Sequence, residues 1–261
     1  MNDTESIKAT EAAELLLGVR RGRPRLAALP VACVPQTLAE AYAIQREVLR
    51  LQGTGIAGWK ASLLDADSGV CAPLGHNAMK AAPGYLHTVT QRTRNTRTFG
   101  MEPEIAFTLG DDLPPLAGGA VYERATVTAA IASAHAAIEL VVSRFADADA
   151  VTQLERVADG LLNEMLIIGP SCPGWTSLTL NDLPLEIRVD SKVVYQGRGG
   201  HPMVDPLLPV IWLANHLSQL GVGLRAGETI TTGSCNGLRS LEAGQLVSAF
   251  FDGLGSATAR L

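Results

Sequence analysis

The chain has 261 residues, of which 47% are hydrophobic and 18% charged, enough apolar content to bury a substantial core and too little charge for a disordered polyelectrolyte. Its net charge is -5, and its 21 Lys and Arg are scattered without a basic stripe, which argues against a nucleic-acid partner. The four cysteines, Cys33, Cys71, Cys172 and Cys235, form no C-x-x-C pair and read as free thiols of a reducing cytoplasm.

The start, Met1-Asn2-Asp3-Thr4-Glu5, lacks the basic and apolar regions of a signal peptide, so no export is expected. No apolar stretch has the length of a membrane span. The best candidate, Pro206 to Leu217, is broken by Pro209 and carries Asn215 and His216. A soluble, cytoplasmic protein is the expectation.

Apolar positions Ala12, Leu15, Leu16 and Val19 predict an amphipathic helix over residues 10–21, stopped at Gly22 with Pro24 beyond. A capping box, Thr37-Leu38-Ala39-Glu40, opens a second helix that ends at Gly53. Gly58 to Leu63 then reads as a short strand carrying one lysine, Lys60. From Asp65 to Arg97 the pattern is weak, with Arg92, Arg94 and Arg97 near its end. A connection that long suggests a functional loop or lid.

Glu102 to Leu109 predicts a strand. Alternation along it sends Glu102 and Glu104 to one face, where paired like charges at an apolar interior need a cation between them. Asp111 and Asp112 follow as turn formers. Residues 126–138 predict an alanine-rich helix and residues 140–145 a strand, with Glu139 at the joint as the sole acid in an apolar run from Val127 to Val142. Such an acid is either buried with a partner or faces a cleft. His135 has no second histidine at i+4 and reads as a helix-surface or core residue.

A second capping box, Thr152-Gln153-Leu154-Glu155, precedes the strand Met165–Gly169. Segments 185–189 and 192–195 alternate around Asp190-Ser191 as a hairpin. The glycine-rich Gly197–Pro202 loop lacks the spacing of a phosphate cradle. Asp205 as N-cap, Pro206 at the first helical position and Gly221 past the end frame another helix. The tail is strand and turn. The order of elements predicts an α+β fold, with a helical appendage over residues 1–55 and a mixed, curled sheet enclosing a pocket over residues 56–261.

Taken together, Gly58-Trp59-Lys60, Glu102-x-Glu104, Glu139-Leu140-Val141-Val142-Ser143-Arg144, the segment Gly227-Glu228-Thr229-Ile230-Thr231-Thr232-Gly233 and the closing Gly253-Leu254-Gly255-Ser256 resemble the fumarylacetoacetate hydrolase superfamily. The likeness is to its branch of 2-keto-4-pentenoate hydratases and 4-oxalocrotonate decarboxylases, and it runs over essentially the whole chain, including Ala41-Tyr42-Ala43-Ile44-Gln45. The resemblance implies a β-roll around one Mg²⁺ or Mn²⁺ held by Glu102, Glu104 and Glu139. Three carboxylates suit a hard ion that keeps positions open for a 2-oxo or 2-enol acid.

Lys60 stands at the family's active-site lysine, and would bind the substrate or act as acid or base if burial lowers its pKa. Thr232, Gly233 and Ser234 stand in the loop that would bind the substrate carboxylate. Two positions depart from relatives. An expected aspartate is replaced within Leu74-Gly75-His76-Asn77-Ala78-Met79, and an expected serine falls in the apolar part of Asp159-Gly160-Leu161-Leu162-Asn163-Glu164. Asn77 or His76 stands in the aspartate's place, and His76 and Glu164 are the candidates for proton transfer, with Asn77 a further candidate catalytic residue. No H-x-x-E occurs, which disfavours C–C hydrolysis.

The implied activity is a lyase of aromatic catabolism, hydrating a 2-hydroxypenta-2,4-dienoate-type acid. The alternatives are a 4-oxalocrotonate-type decarboxylase and a non-catalytic member of a hydratase–decarboxylase complex. The expected partners are the small acid, further copies of the chain in a homo-oligomer and a pathway enzyme, with no nucleic acid and no membrane.

Overall fold

The computed structural model describes residues 3–65, 67–85 and 98–261. Its α-helices are α1 (Asp3–Arg20), α2 (Leu38–Gln52), α3 (Arg124–Ala130), α4 (Gln153–Ala158) and α5 (Leu208–Gln219). The strands are β1 (Ile56–Leu63), β2 (Gly69–Gly75), β3 (Met79–Ala81), β4 (Gly84–Tyr85), β5 (Thr98–Leu109), β6 (Ile131–Val141), β7 (Asn163–Ile168), β8 (Pro184–Val189), β9 (Lys192–Arg198), β10 (Thr229–Ser234), β11 (Arg239–Glu242), β12 (Leu246–Phe251) and β13 (Gly255–Arg260).

Among the described residues, one sheet runs β2-β1-β10-β5-β6-β7-β3, with β11 also paired to β5, and a second runs β4-β13-β12-β8-β9. The terminal strands of the first path, β2 and β3, are joined by only three residues, the 3-10 turn His76–Ala78. A link that short between opposite ends of a sheet requires the sheet to curl until its ends meet. The mixed β-roll expected from sequence is the result.

Register assigns the residues to faces, because directly paired residues share one. Glu102 pairs with Glu139, Glu104 with Ala137, Ala106 with His135 and Thr108 with Ser133. Lys60 pairs with Thr231 and Thr231 with Ala106, so these too face the interior. There Leu74, Ala106, Ala137 and Leu166 form a small apolar cluster with Met79 and Ile168 against it. On the opposite face Ile105, Phe107, Ile138 and Ile230 belong to the main core beneath the second sheet.

The helix expected over residues 126–138 is corrected. Only Arg124–Ala130 is helical, and Ile131–Val141 is the strand β6, paired on both sides and buried on both faces. Helix propensity yields here to tertiary pairing, and small side chains are what a strand pressed between two packed layers accepts. The stretch from Asp65 to Arg97 is likewise no single loop, since it holds β2 and β3. Arg92, Arg94 and Arg97 lie outside the described residues. The helix placed at Asp205-Pro206 begins at Leu208, two residues later than expected. Asp205 Oδ1 instead accepts from Leu207 N at 3.0 Å, and Pro209 occupies the first turn. The Asp190-Ser191 hairpin is present, both residues having positive φ. Among the described residues no helix is long and apolar enough to cross a membrane.

Gly58 marks the tightest approach inside the roll, because a Cβ there would lie 2.1 Å from Thr229 O on β10. Gly58→Ala is expected to force β1 off β10, costing about 2 kcal/mol and lowering Tm by about 5 °C by calorimetry. An unchanged Tm would show that the two strands can separate at no cost.

Candidate active site

Strand pairing concentrates charge inside the roll. Glu102, Glu104 and Glu139 offer carboxylate oxygens that all lie within 4.8 Å of one another. Glu104 and Glu139 are fully buried, and Lys60 is nearly so. The Lys60 ammonium lies 2.6 Å from Glu139 Oε2 and 3.7 Å from Glu102 Oε2, and donates to Leu161 O at 3.2 Å. Burial by itself pushes the pKa of Lys60 down. The carboxylates of Glu139, Glu102 and Glu104 outweigh that and raise it, so Lys60 is held as a cation. Among the same acids, burial first and mutual repulsion second raise the pKa of Glu104 well above that of an ordinary carboxyl. Burial also raises Glu102, against the opposing pull of Lys60.

Each acid is oriented differently. Glu104 Oε2 accepts from Gly233 N at 3.1 Å and from the Thr231 hydroxyl, while its buried Oε1 has no hydrogen-bond partner. Glu139 Oε1 accepts from Asn163 Nδ2 at 2.7 Å, and its Oε2 makes the ion-pair contact with Lys60 without hydrogen-bond alignment. A buried carboxylate oxygen left without a donor is costly, and an all-oxygen set at this spacing fits a hard divalent cation.

The other sequence candidates fall at varying distances from this centre. Asn77 and Glu164 line one small cavity of about 50 Å³ together with Asn163, Arg20 and Gln45, room for a water or two. Glu164 is paired there with Arg20 at 3.1 Å and Arg144 at 3.3 Å. His76 stands exposed on the same connection, its backbone N donating to Gly55 O. Thr232, Gly233 and Ser234, expected in a loop, close the strand β10, and of the three only Gly233 hydrogen-bonds an acidic side chain. The Thr232 hydroxyl donates to Ile105 O at 2.8 Å and the Ser234 hydroxyl to Gly237 O at 2.9 Å.

Sequence reading missed Thr231 and Asn163. Alternation from Lys60 places Thr231, not Thr232, on the inner face. Asn163 faces inward because a register shift between Leu140 and Val141 pairs it with Val141, and that irregularity leaves no mark in the sequence. His135, expected on a helix, is a buried strand residue. Its Nδ1 lies 3.0 Å from Gly169 O, and Nε2 lies within 3.0 Å of the Thr108 and Ser133 hydroxyls.

The family model of the fumarylacetoacetate hydrolase C-terminal domain matches residues 59–261. The chain belongs to the fumarylacetoacetate hydrolase family. It is 29% identical to the 2-keto-4-pentenoate hydratase of Burkholderia vietnamiensis strain G4, over 99% of this chain and 98% of that one. It is 27% identical to the hydratase of the same name from Paraburkholderia phymatum at the same coverage. Among solved structures, 4-oxalocrotonate decarboxylase from Pseudomonas putida G7, complexed with magnesium and adipate, superposes with a TM-score of 0.81 at 21% identity, covering 97% of each chain. The branch resemblance read from the motifs is thereby borne out, as is the fold.

One member of the glycine-rich segment supports the site from behind. His201 Nδ1 accepts from Met203 N at 3.2 Å, which leaves Nε2 carrying the hydrogen donated to Thr232 O at 2.8 Å. Burial lowers the pKa of His201, with Thr232 O and Asp205 opposing, and burial lowers His216 likewise. A folded-state pKa below the unfolded value of about 6.5 means that the unfolded chain takes up protons first as pH falls. The two histidines therefore contribute stability that is lost as pH falls from 7 to 5, opposite in sign to the raised carboxyls of Glu102 and Glu104. Thermal melts across that range should show His201→Gln losing less stability on acidification than wild type, and identical slopes would remove His201 from the account.

Proposed function

We propose that this chain is a divalent-metal-dependent lyase that hydrates a short 2-hydroxy-dienoic acid of the 2-hydroxypenta-2,4-dienoate type in aromatic catabolism. The observation that carries the reading is the cluster of Glu102 with the buried Glu104 and Glu139 around Lys60, in a chain alignable end to end with named hydratases. Glu102, Glu104 and Glu139 would hold Mg²⁺ or Mn²⁺, the unpartnered Oε1 of Glu104 supporting that assignment. When bound there, the ion would supply a Lewis acid that stabilises negative charge developing on a 2-oxo acid.

The chain's own groups do the rest. Thr231 and the Gly233 amide fix Glu104, and Asn163 fixes Glu139. Lys60, 2.6 Å from Glu139 Oε2, would serve as a donor that pairs with the substrate carboxylate or keeps a proton at its C2 oxygen. Asn77 lines the cavity beside Asn163 and would orient the water that adds. Glu164, paired with Arg20 and Arg144, would orient water, and His76 is the remaining candidate for proton transfer. Thr232, Gly233 and Ser234, at the end of β10, would meet the substrate carboxylate.

Decarboxylation of a 4-oxalocrotonate-type acid is the second reading, favoured by the likeness of fold along the whole chain and by the same stabilisation of charge at C2. The departures at Asn77 and Leu162 leave a metal-binding partner subunit as a third outcome. Purified protein with Mn²⁺ is expected to bleach the ultraviolet absorbance of 2-hydroxypenta-2,4-dienoate. Release of CO₂ from 4-oxalocrotonate instead would establish the second reading, and silence in both assays the third. Glu104→Gln is expected to fold and to lose Mn²⁺ affinity by more than the roughly 100-fold seen when an outer partner is removed. Undiminished affinity in that variant would sink the ligand assignment.

A further inference from the structure

Three successive residues behind the acidic centre, Gly160, Leu161 and Leu162, all have left-handed φ, at 68°, 53° and 63°. Branched side chains rarely accept that conformation, and it persists only where surrounding contacts dictate it. The contacts here are arginines. Arg144, 1% exposed, donates its backbone N to Asp159 Oδ2 at 3.0 Å, its Nε to Asp159 Oδ1, and Nη2 to Asp159 O at 2.8 Å. Its Nη1 reaches past the turn to Asn163 O at 3.1 Å and Glu164 Oε2 at 3.3 Å. Arg20, at the end of α1, grips the same far side, with Nη2 on Asn163 O at 2.7 Å and Nη1 on Glu164 Oε2 at 3.1 Å.

What the turn presents is the back of the site. Leu161 O accepts from the Lys60 ammonium, and the Asn163 side chain holds Glu139 Oε1. Leu162 O accepts from Val142 N at 2.9 Å, tying the turn to the strand that carries Glu139.

We infer that Arg20 and Arg144 are positioning residues that clamp the Asp159–Glu164 turn in a strained shape, so that its Leu161 carbonyl and Asn163 amide fix Lys60 and Glu139. The first helix thus completes the acidic centre from outside residues 59–261, the portion matched to the family. The inference rests on the proposed role of Glu139 as a metal ligand.

The test uses the full chain, with Arg20→Met as the main variant, because the Arg144 clamp survives in it, and with Arg20→Lys as the conservative control. Two quantities are measured. One is Mn²⁺ affinity by electron paramagnetic resonance titration. The other is amide exchange in metal-free protein at Val142 and Asn163, whose N–H groups donate to Leu162 O and Gly160 O. In Arg20→Met, exchange at both amides is expected to accelerate and the Kd for Mn²⁺ to rise about tenfold, with partial recovery in Arg20→Lys. Faster exchange with unchanged Mn²⁺ affinity overturns the positioning role, and unchanged exchange overturns the clamp. Wild-type protein that fails to bind Mn²⁺ refutes the metal reading instead, and the exchange data then decide the clamp on their own.

Discussion

A lysine ammonium surrounded by three carboxylates inside a closed roll is the constraint on which the rest depends. Taking such charges out of water is expensive, and removing the ammonium would leave the carboxylates uncompensated at low dielectric. Everything near the group works against that cost. Hydroxyl, amide and carbonyl groups from two separate segments, β10 and the Asp159–Glu164 turn, each hold one atom of the cluster, and the apolar residues beside it keep water from taking their place. The excess of acid over base is the feature that singles the place out. One ammonium cannot satisfy three carboxylates, so the arrangement calls for a further cation, and the raised pKa values of Glu102 and Glu104 express the same imbalance.

The fold positions this charge through connectivity. Joining β2 to β3 by three residues closes the sheet, and closure gives the strands an inside where Glu102, Glu104, Glu139 and Lys60 have to meet. The second sheet covers the outer face, so the strands that carry the acids are packed on both sides. Rigid placement of this sort lets a site hold a fixed geometry without relying on flexible loops.

Much of this was legible in the sequence, and what was not had physical causes. Glu102 and Glu104 declared themselves by alternation, and Glu139 by being the lone acid of an apolar run. The strand carrying Glu139 was hidden, because a run of alanines reads as helix when the two layers that flatten it cannot be seen. Thr231 was within reach of alternation and lost to its neighbour Thr232. Asn163 was out of reach, since its inward direction depends on a register shift that only pairing reveals. The arginine clamp was invisible for a related reason. Arg20 and Glu164 are 144 positions apart in the chain, and neither has a local pattern that points to the other.

The pairing of β10 with β5 skips between Thr231 and Ser234, and that irregularity has a chemical result. In an unbroken ladder each amide is consumed by a neighbouring carbonyl. Here the lapse releases the Gly233 N–H, and a side-chain carboxylate takes the position that a peptide oxygen would have filled. The sheet is therefore partly built from its own acidic centre. Whatever alters the charge on Glu104 also alters a bond that holds two strands together, so the electrostatics of that centre and the cohesion of the strands are one equilibrium observed from two sides.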